Sequence, residues 1–370
     1  MARFIHFRPA ALFSGLALIL SIIGIIAIYS ASSVFALERY GSSEYFALRQ
    51  GCMLLVGIIC AVIIQKIPLQ VIRYLSPISY LIAVLLTLST ITRWGVIVHG
   101  SRRWLSIFGI SFQPSELLKI TSVLYAAHIL ARLQDAPRRP LYPLITIGAI
   151  LICSCGILLL QPDFGMAVCI FLTILIQLFV AYLHIGHILG LTVIMAPIIS
   201  FLVIATPYRL KRILIFLDPW SDPQGAGFQV IQSLIAIGSG GLTGIGISQS
   251  RQKFFYLPMQ HTDFIFSIIA EETGFIGSLF LISLFILLTT IGISTLSRLE
   301  NSFARSIVLG GTMLITIQAC INIGVSCGLL PTKGIGLPFV SYGNSSLISF
   351  WILVGIISSA LHTTKKYFNN

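Results

Sequence analysis

The sequence predicts an all-α polytopic membrane protein, and three observations carry that prediction. Of 370 residues, 56% are hydrophobic and only 9% are charged, where soluble domains carry about a quarter charged residues. The mean hydropathy is +0.98. Long uncharged runs, rather than short alternating strands, recur along the whole chain. At the usual helix length these runs give about ten transmembrane helices, near 10–31, 51–66, 75–92, 116–133, 142–160, 164–183, 187–206, 262–291, 306–328 and 345–363. A large outer loop precedes the eighth. No polar stretch is long enough for a separate soluble domain, so residues 1–370 read as one transmembrane domain.

The first run, from Pro9 to about Ala31, follows Arg3 and Arg8 as a signal peptide would. It is about 20 residues long without a clean cleavage motif, so it reads as an uncleaved span. The seven cysteines sit in or at the ends of apolar runs. They build no loop framework, and neither structural disulfides nor a zinc site is expected. The net charge is +12, but the Lys and Arg residues are too scattered for a nucleic-acid stripe. Anionic membrane lipid or an anionic substrate fits better.

An even number of spans puts both termini on one side. Lys and Arg divide equally between the two faces, so a bare count does not orient the chain. The outer charges lie mostly in the long segments 93–115 and 207–261, and long loops weigh less in the positive-inside rule. The termini are therefore expected inside, which leaves an unusually basic outer face.

Three outer segments, about 93–115, 207–261 and 328–346, hold most of the polar chemistry. The first carries Arg102, Arg103 and Trp104, then Gln113 and Pro114. Pro114 suits a helix start, with Gln113 or Ser115 available as a cap. Glu116 and Lys119 follow one turn apart on a shared face. The second carries Arg209, Lys211 and Arg212, a short helix expected over 229–237, and a Gly cluster at 238–246. That cluster lacks the Gly-Lys-Ser/Thr ending of a phosphate loop, so no nucleotide is expected. A flexible loop or close backbone packing explains it better. The third segment, with Lys333 and Ser341, is broken by Gly and Pro. Such backbone is tolerated near a bilayer only where it is buried in protein or lines a wet cavity.

The carboxylates divide by context. Asp163, Asp218 and Asp222 each lie beside a proline, where aspartate favours turns. Glu271 and Glu272 lie deep in an apolar run and point in different directions, so structural pairing is their expected work. Asp263 opens that run at the membrane level. An aspartate at a helix centre costs roughly 2.5–3.5 kcal/mol on insertion scales. It either caps the helix, where the dipole favours an anion, or is used chemically. His261 and Asp263 could together hold a divalent cation. His184 and His187, three apart, have no carboxylate partner.

These segments, taken together, resemble the SEDS family (shape, elongation, division and sporulation), the family of RodA and FtsW. The matching stretches are Arg103-Trp104, Phe112-Gln-Pro-Ser-Glu-Leu-Leu-Lys119, Gln161-Pro-Asp-Phe-Gly165, Gln232-Ser-Leu-Ile-Ala-Ile-Gly-Ser-Gly-Gly241, His261-Thr-Asp-Phe-Ile-Phe266 with Ala270-Glu-Glu272, and Leu337-Pro-Phe-Val-Ser-Tyr-Gly343. The wordings Phe216-Leu-Asp-Pro-Trp-Ser-Asp-Pro223, Gln252-Lys-Phe-Phe-Tyr-Leu-Pro258 and Leu330-Pro-Thr-Lys-Gly334 are closer to the FtsW branch. Asn344 departs from the usual second Gly, and Met259 with Gln260 departs from the usual Glu before the His.

The resemblance implies a peptidoglycan glycosyltransferase of the bacterial plasma membrane. It would polymerise lipid II, an undecaprenyl-diphosphate disaccharide-pentapeptide, at the outer face during septal cell-wall synthesis. It implies a class B penicillin-binding protein and other division proteins as partners, and no nucleic acid. It implies Asp263 as the catalytic residue and Lys119 as its partner. The reaction asks for a base near the acceptor 4-hydroxyl and cations around the diphosphate. Arg102, Arg103, Lys119, Arg209, Lys211 and Arg212 are candidates for the latter. Trp104, Gln113, Glu116, His261, Lys333 and Ser341 complete the expected substrate-binding set, and a divalent cation (Mg or Mn) would come with the diphosphate. Two other readings remain open at this point, a flippase for the same lipid and a non-catalytic division scaffold.

Overall fold

A computed structural model describes residues 9–98, 101–107, 110–135, 141–181, 212, 214–225, 227–252, 260–332 and 334–362. Nine of the ten expected spans coincide with helices: α1 (Pro9–Tyr40), α2 (Tyr45–Lys66), α3 (Leu69–Ile91), α4 (Pro114–Asp135), α5 (Leu141–Leu160), α6 (Phe164–Ala181), α8 (Ile265–Ser294), α9 (Ser302–Ser326) and α10 (Asn344–His362). Between α6 and α8 lies the short α7 (Phe228–Ser239), the helix expected over 229–237. The seventh expected span, 187–206, lies outside the described residues, as do Arg209, Lys211, Lys333, His184 and His187.

Among the described residues, seven helices are long and apolar enough to cross a membrane: α1, α2, α3, α6, α8, α9 and α10. Their outer sides stay apolar where no protein covers them. Leu55 and Ile59 of α2 and Leu81 and Leu85 of α3 are each more than half exposed. Each such side chain would forfeit about 1.5–3 kcal/mol by facing water rather than an apolar phase, so these faces belong against lipid. The chain is a multi-pass membrane protein.

Helix α4 is not among the seven, because it carries Glu116, Lys119, His128 and Arg132. It can carry them because protein surrounds it. Leu118, Val123, Ala126, Ala127 and Leu130 are all buried, and α3, α5, α6 and α9 pack around it. Apart from a half-buried stripe at Leu117, Thr121 and Tyr125, the helix is buried near the site, so its polar groups there find partners within the bundle.

The outer segment 93–115, in a chain expected to be all-α, contains a three-stranded antiparallel sheet, β1 (Gly95–Val98), β2 (Ser101–Ile107) and β3 (Ile110–Phe112), in the order β1-β2-β3. Its β-branched residues (Val96, Ile97 and Val98 in β1) suit a short pleated ribbon. The sheet lies at the end of the bundle where α3 stops and α4 begins. That same end receives the N-termini of α6, α8 and α10.

Helix α8 is broken at Gly274, which has φ 68° and ψ −164°, a conformation essentially reserved for glycine. The break lets the glycine cluster dock. A Cβ on Gly274 would lie 2.3 Å from the Gly244 nitrogen, and the Phe275 and Ile276 amides donate to the Gly241 and Leu242 carbonyls at 2.9 and 3.1 Å. Close backbone packing, one of the two readings of that cluster, is what the structure contains. Glu271 and Glu272 complete the joint. Glu271 accepts from the Ser250 hydroxyl and from the Arg251 amide at 3.0 Å, and Glu272 accepts from Ser30 of α1 at 2.5 Å. Their work is structural pairing, as expected.

Candidate active site

Asp263 sits in the turn 260–264 immediately before α8, half-buried. Three hydrogen bonds fix the turn's backbone. Asn322 Nδ2 donates to the Asp263 carbonyl at 2.8 Å, Ser341 Oγ to the Thr262 carbonyl at 2.6 Å, and the Tyr342 amide to the His261 carbonyl at 2.9 Å. The last two come from a non-helical strap over 334–343 that leads into α10. The strap passes close to the carboxylate, since a Cβ on Gly334 would lie 3.4 Å from Asp263 Oδ2. Its geometry is tightly held. Phe339 sits at φ 65°, rare for a bulky residue, with its ring 5.3 Å from Phe350 and 6.3 Å from Trp351.

Burial pushes the Asp263 carboxyl up to about 7, the Arg103 and Arg212 cations pull it down, and Asp163 adds to the rise. Desolvation therefore outweighs the cations. Helix capping does not describe this residue, because the N-cap position of α8 is Phe264 and not Asp263.

Arg103 reaches the same region through a fault in the sheet. Val96 pairs with Trp104 and Ile97 with Arg102, so Arg103 is left without a partner across the ladder. Such bulges re-aim a side chain. The Arg103 guanidinium donates to the Gln161 carbonyl at 3.0 Å and the Pro162 carbonyl at 2.7 Å, and lies 3.8 Å from Asp163 Oδ2. Asp163 in turn accepts from the Met166 amide at 3.3 Å at the start of α6. Burial raises the Asp163 carboxyl, against Arg103 and that amide. Asp163 is thus more than a turn former, since it ties the sheet to α6 beside Asp263. Arg102 takes a different direction and donates to the Thr92 carbonyl at 3.2 Å at the surface.

Lys119 does not pair with Asp263. Its ammonium lies 2.6 Å from Glu116 Oε2, donates to Gln318 Oε1 at 2.9 Å, and stands 3.9 Å from the centre of the Phe350 ring. Lys119 has no exposed surface and Glu116 is 5% exposed. The pair lies beneath the site, out of reach of a substrate diphosphate, because α4 is enclosed by other helices.

Of the remaining expected residues, Arg212 reaches the Asp263 region and donates to the Thr332 carbonyl at 2.7 Å. Ser341 spends its hydroxyl on Thr262, and it also accepts from the Leu337 amide at 2.6 Å. It shapes the strap. The Gln113 amide donates to Ser345 Oγ at 3.0 Å, and its side chain donates to Ser115 at 3.0 Å. Trp104 is half-buried in β2 opposite Val96.

The His261 ring packs among Phe35, Phe46 and Tyr342, with centroids 5.9, 4.8 and 5.8 Å away. Burial there lowers its pKa to about 4, so it is neutral at physiological pH. His261 is committed to an aromatic cluster and Asp163 to Arg103. Among the described residues, no group of three His, Cys, Asp or Glu side chains gathers.

A family profile described as "Cell cycle protein", for FtsW, RodA and SpoVE, matches residues 10–366. The chain belongs to the FtsW/RodA/SpoVE family. It is 39% identical to a "Probable peptidoglycan glycosyltransferase FtsW" of a Geobacter species over 92% of this chain and 94% of that one. It is 40% identical to the "Stage V sporulation protein E" of Bacillus subtilis, over 94% of this chain and 96% of that one. A chain from "Structural coordination of polymerization and crosslinking by a peptidoglycan synthase complex" superposes with a TM-score of 0.79 at 29% identity, covering 95% of this chain and 98% of that one. The rod shape determining protein RodA of Thermus thermophilus shares the fold, with a TM-score of 0.71 at 24% identity over 99% of this chain and all of that one.

Within this FtsW/RodA/SpoVE chain, the residues not foreseen at the site are Asp163 as an ion-pair partner, Gln161, Gln318 and Asn322. Gln161 donates to the Thr87 carbonyl at 3.0 Å and to the Thr90 hydroxyl, fixing the turn that receives Arg103. The available signal was polarity out of place. Gln318 and Asn322 are amides four residues apart in an otherwise apolar span, which puts them on one face.

Proposed function

We propose that this protein is a peptidoglycan glycosyltransferase that polymerises lipid II at the outer face of the bacterial plasma membrane, with Asp263 as the general base. The observation that carries this reading is the half-buried Asp263 carboxylate, raised to about 7 by burial, at the end of the bundle where two arginines and several helix N-termini converge. A base poised near the working pH is the efficient one for proton abstraction. Asp263 takes the proton of the acceptor sugar's 4-hydroxyl. The freed oxygen bonds to the donor's anomeric carbon, and the bond from that carbon to the diphosphate oxygen breaks. The leaving diphosphate departs with its electron pair toward the positive end of the bundle. The charges of Arg103 and Arg212 and the N-terminal dipoles of α4, α6, α8 and α10 favour anionic charge there. The apolar outer faces of the helices accommodate the lipid tails.

The relatives' names and the FtsW-like wordings support a septal role, the loop lengths support termini in the cytoplasm, and the likeness to a chain of a polymerising and crosslinking complex supports a class B penicillin-binding protein as partner. A divalent ion accompanying the diphosphate has no step assigned to it. A transporter would place ionisable groups at mid-bundle in both halves, whereas Asp163, Asp263, Arg103 and Arg212 gather at one end. The test is the purified full chain in vesicles with lipid II, with and without the transpeptidase. Glycan strands are expected in both arms. Lipid II crossing the bilayer with no polymer made would identify a flippase instead.

A further inference from the structure

The geometry points to Asn322, supported by Gln318 one turn earlier on α9, as the positioning residue that sets the gap between the Asp263 turn and the 334–343 strap. The inference rests on Asp263 being the base, and it adds a group that does not touch the reacting atoms. Both amides are buried in the bundle. Asn322 Nδ2 gives one hydrogen to the Asp263 carbonyl and the other to the Ile335 carbonyl, each at 2.8 Å. Gln318 accepts from Lys119 Nζ at 2.9 Å and donates to the Gly336 carbonyl at 2.9 Å. Two consecutive carbonyls of the strap and the carbonyl of the catalytic residue are thus read by one helix face.

The orientation of each amide is forced. Turning Asn322 over would aim its oxygen at two carbonyl oxygens, and turning Gln318 over would aim its NH₂ at an ammonium. Asn322 is a double donor joining two chain segments 72 residues apart in sequence (335 − 263 = 72). A carboxamide can give both hydrogens at once, and neither Asp nor Leu can replace it in that work. The buried Glu116–Lys119 pair acquires a purpose here. It fixes Gln318, and through Gln318 it fixes Gly336. The strap in turn controls how much water reaches the Asp263 carboxylate beside Gly334.

Among the described residues, the charged and titratable groups around Asp263 are Arg103 from β2, Asp163 from the α5–α6 turn, Arg212 from the segment before α7, and His261 in its own turn. All of them remain when Asn322 is changed. Loosening the strap therefore wets the carboxylate without altering its charged neighbours, and its pKa moves down toward the ordinary range.

The experiment is lipid II polymerisation by the full-length Asn322→Leu and Asn322→Gln variants, followed from about pH 5 to 9, with Asp263→Asn as control. Asn322→Leu is expected to lower kcat by roughly 10- to 100-fold, the scale of a 1 Å misplacement, with KM little changed. The acid limb of its pH profile should move to lower pH. Asn322→Gln, which keeps both donors on a longer arm, should recover part of kcat and part of the limb. A merely structural role would reduce yield and melting temperature while leaving the limb of the surviving enzyme in place, and that result overturns the inference. If Asn322→Leu does not accumulate, the Asn322→Gln profile decides. A wild-type kcat and limb there also overturn it. If Asp263→Asn polymerises normally, the base assignment fails first, and the Asn322 inference falls with it.

Discussion

Lys119 and Glu116, one turn apart on α4, form an ion pair of 2.6 Å from which the lysine shows no surface at all. The pair is a structural element under the active site and not a substrate clamp. Removing one member of such a pair strands the other charge in the protein interior, at a cost of about 3–5 kcal/mol. Lys119→Met should therefore lower stability in detergent by roughly that amount. Lys119→Met combined with Glu116→Leu should lose clearly less than either single change, and chemical unfolding of the purified variants measures the difference.

The break in α8 makes a second prediction. Gly274 has φ 68° and ψ −164°, and a methyl there would meet the backbone of Gly244 and Leu242. Gly274→Ala should destabilise by at least the roughly 1–3 kcal/mol of backbone strain in that region. It should also expose the 241–251 segment to limited proteolysis, because the same joint holds Ser250 and Arg251 to Glu271.

Arg103 illustrates how far the sequence could be read. Its place in the Arg103-Trp104 stretch and in the basic outer segment marked it as a site residue, yet nothing in the sequence showed that it would hold carbonyls of the α5–α6 turn. That bond depends on a bulge in a sheet whose three strands are too short for periodicity to reveal. The spans were legible because each is long and apolar, and the short α7 was legible as the middle of the long segment before α8. Asp263 was legible as a carboxylate out of place at the start of an apolar run. The pairing of Lys119 with Asp263 was implied by the resemblance alone; spacing within α4 pointed to Glu116, which Lys119 does meet, but could not show the Gln318 and Phe350 that α9 and α10 present across the bundle. Gln318, Asn322 and the strap are joined only in the folded chain, where residues far apart in sequence meet.

The Arg103 fork itself is testable. Lysine cannot serve the Gln161 and Pro162 carbonyls together with Asp163, since an ammonium lacks the planar array of donors. Arg103→Lys should slow lipid II consumption about 10- to 100-fold, the cost of a misaligned site, with the protein still inserted and folded. Single-turnover kinetics with radiolabelled lipid II gives the number.

Stability should respond to Asp263 in a direction opposite to that of a salt-bridged acid. Its folded pKa, about 7, lies above its ordinary 3.8, so ionising it opposes folding. The penalty is absent below about pH 4, grows as pH rises, and is complete above about pH 7. Asp263→Asn should therefore melt at a higher temperature than the parent at pH 8, with the gap closing toward pH 4. Thermal unfolding across that range checks the sign.

The most direct measurement of the central claim is the single-turnover rate of glycan bond formation from purified lipid II by Asp263→Asn, with lipid II binding measured in parallel. The account predicts a fall of about 10²–10⁴-fold in rate, the typical loss of a general base, with binding retained. Chain formation at the wild-type rate by a folded, inserted Asp263→Asn protein would contradict it.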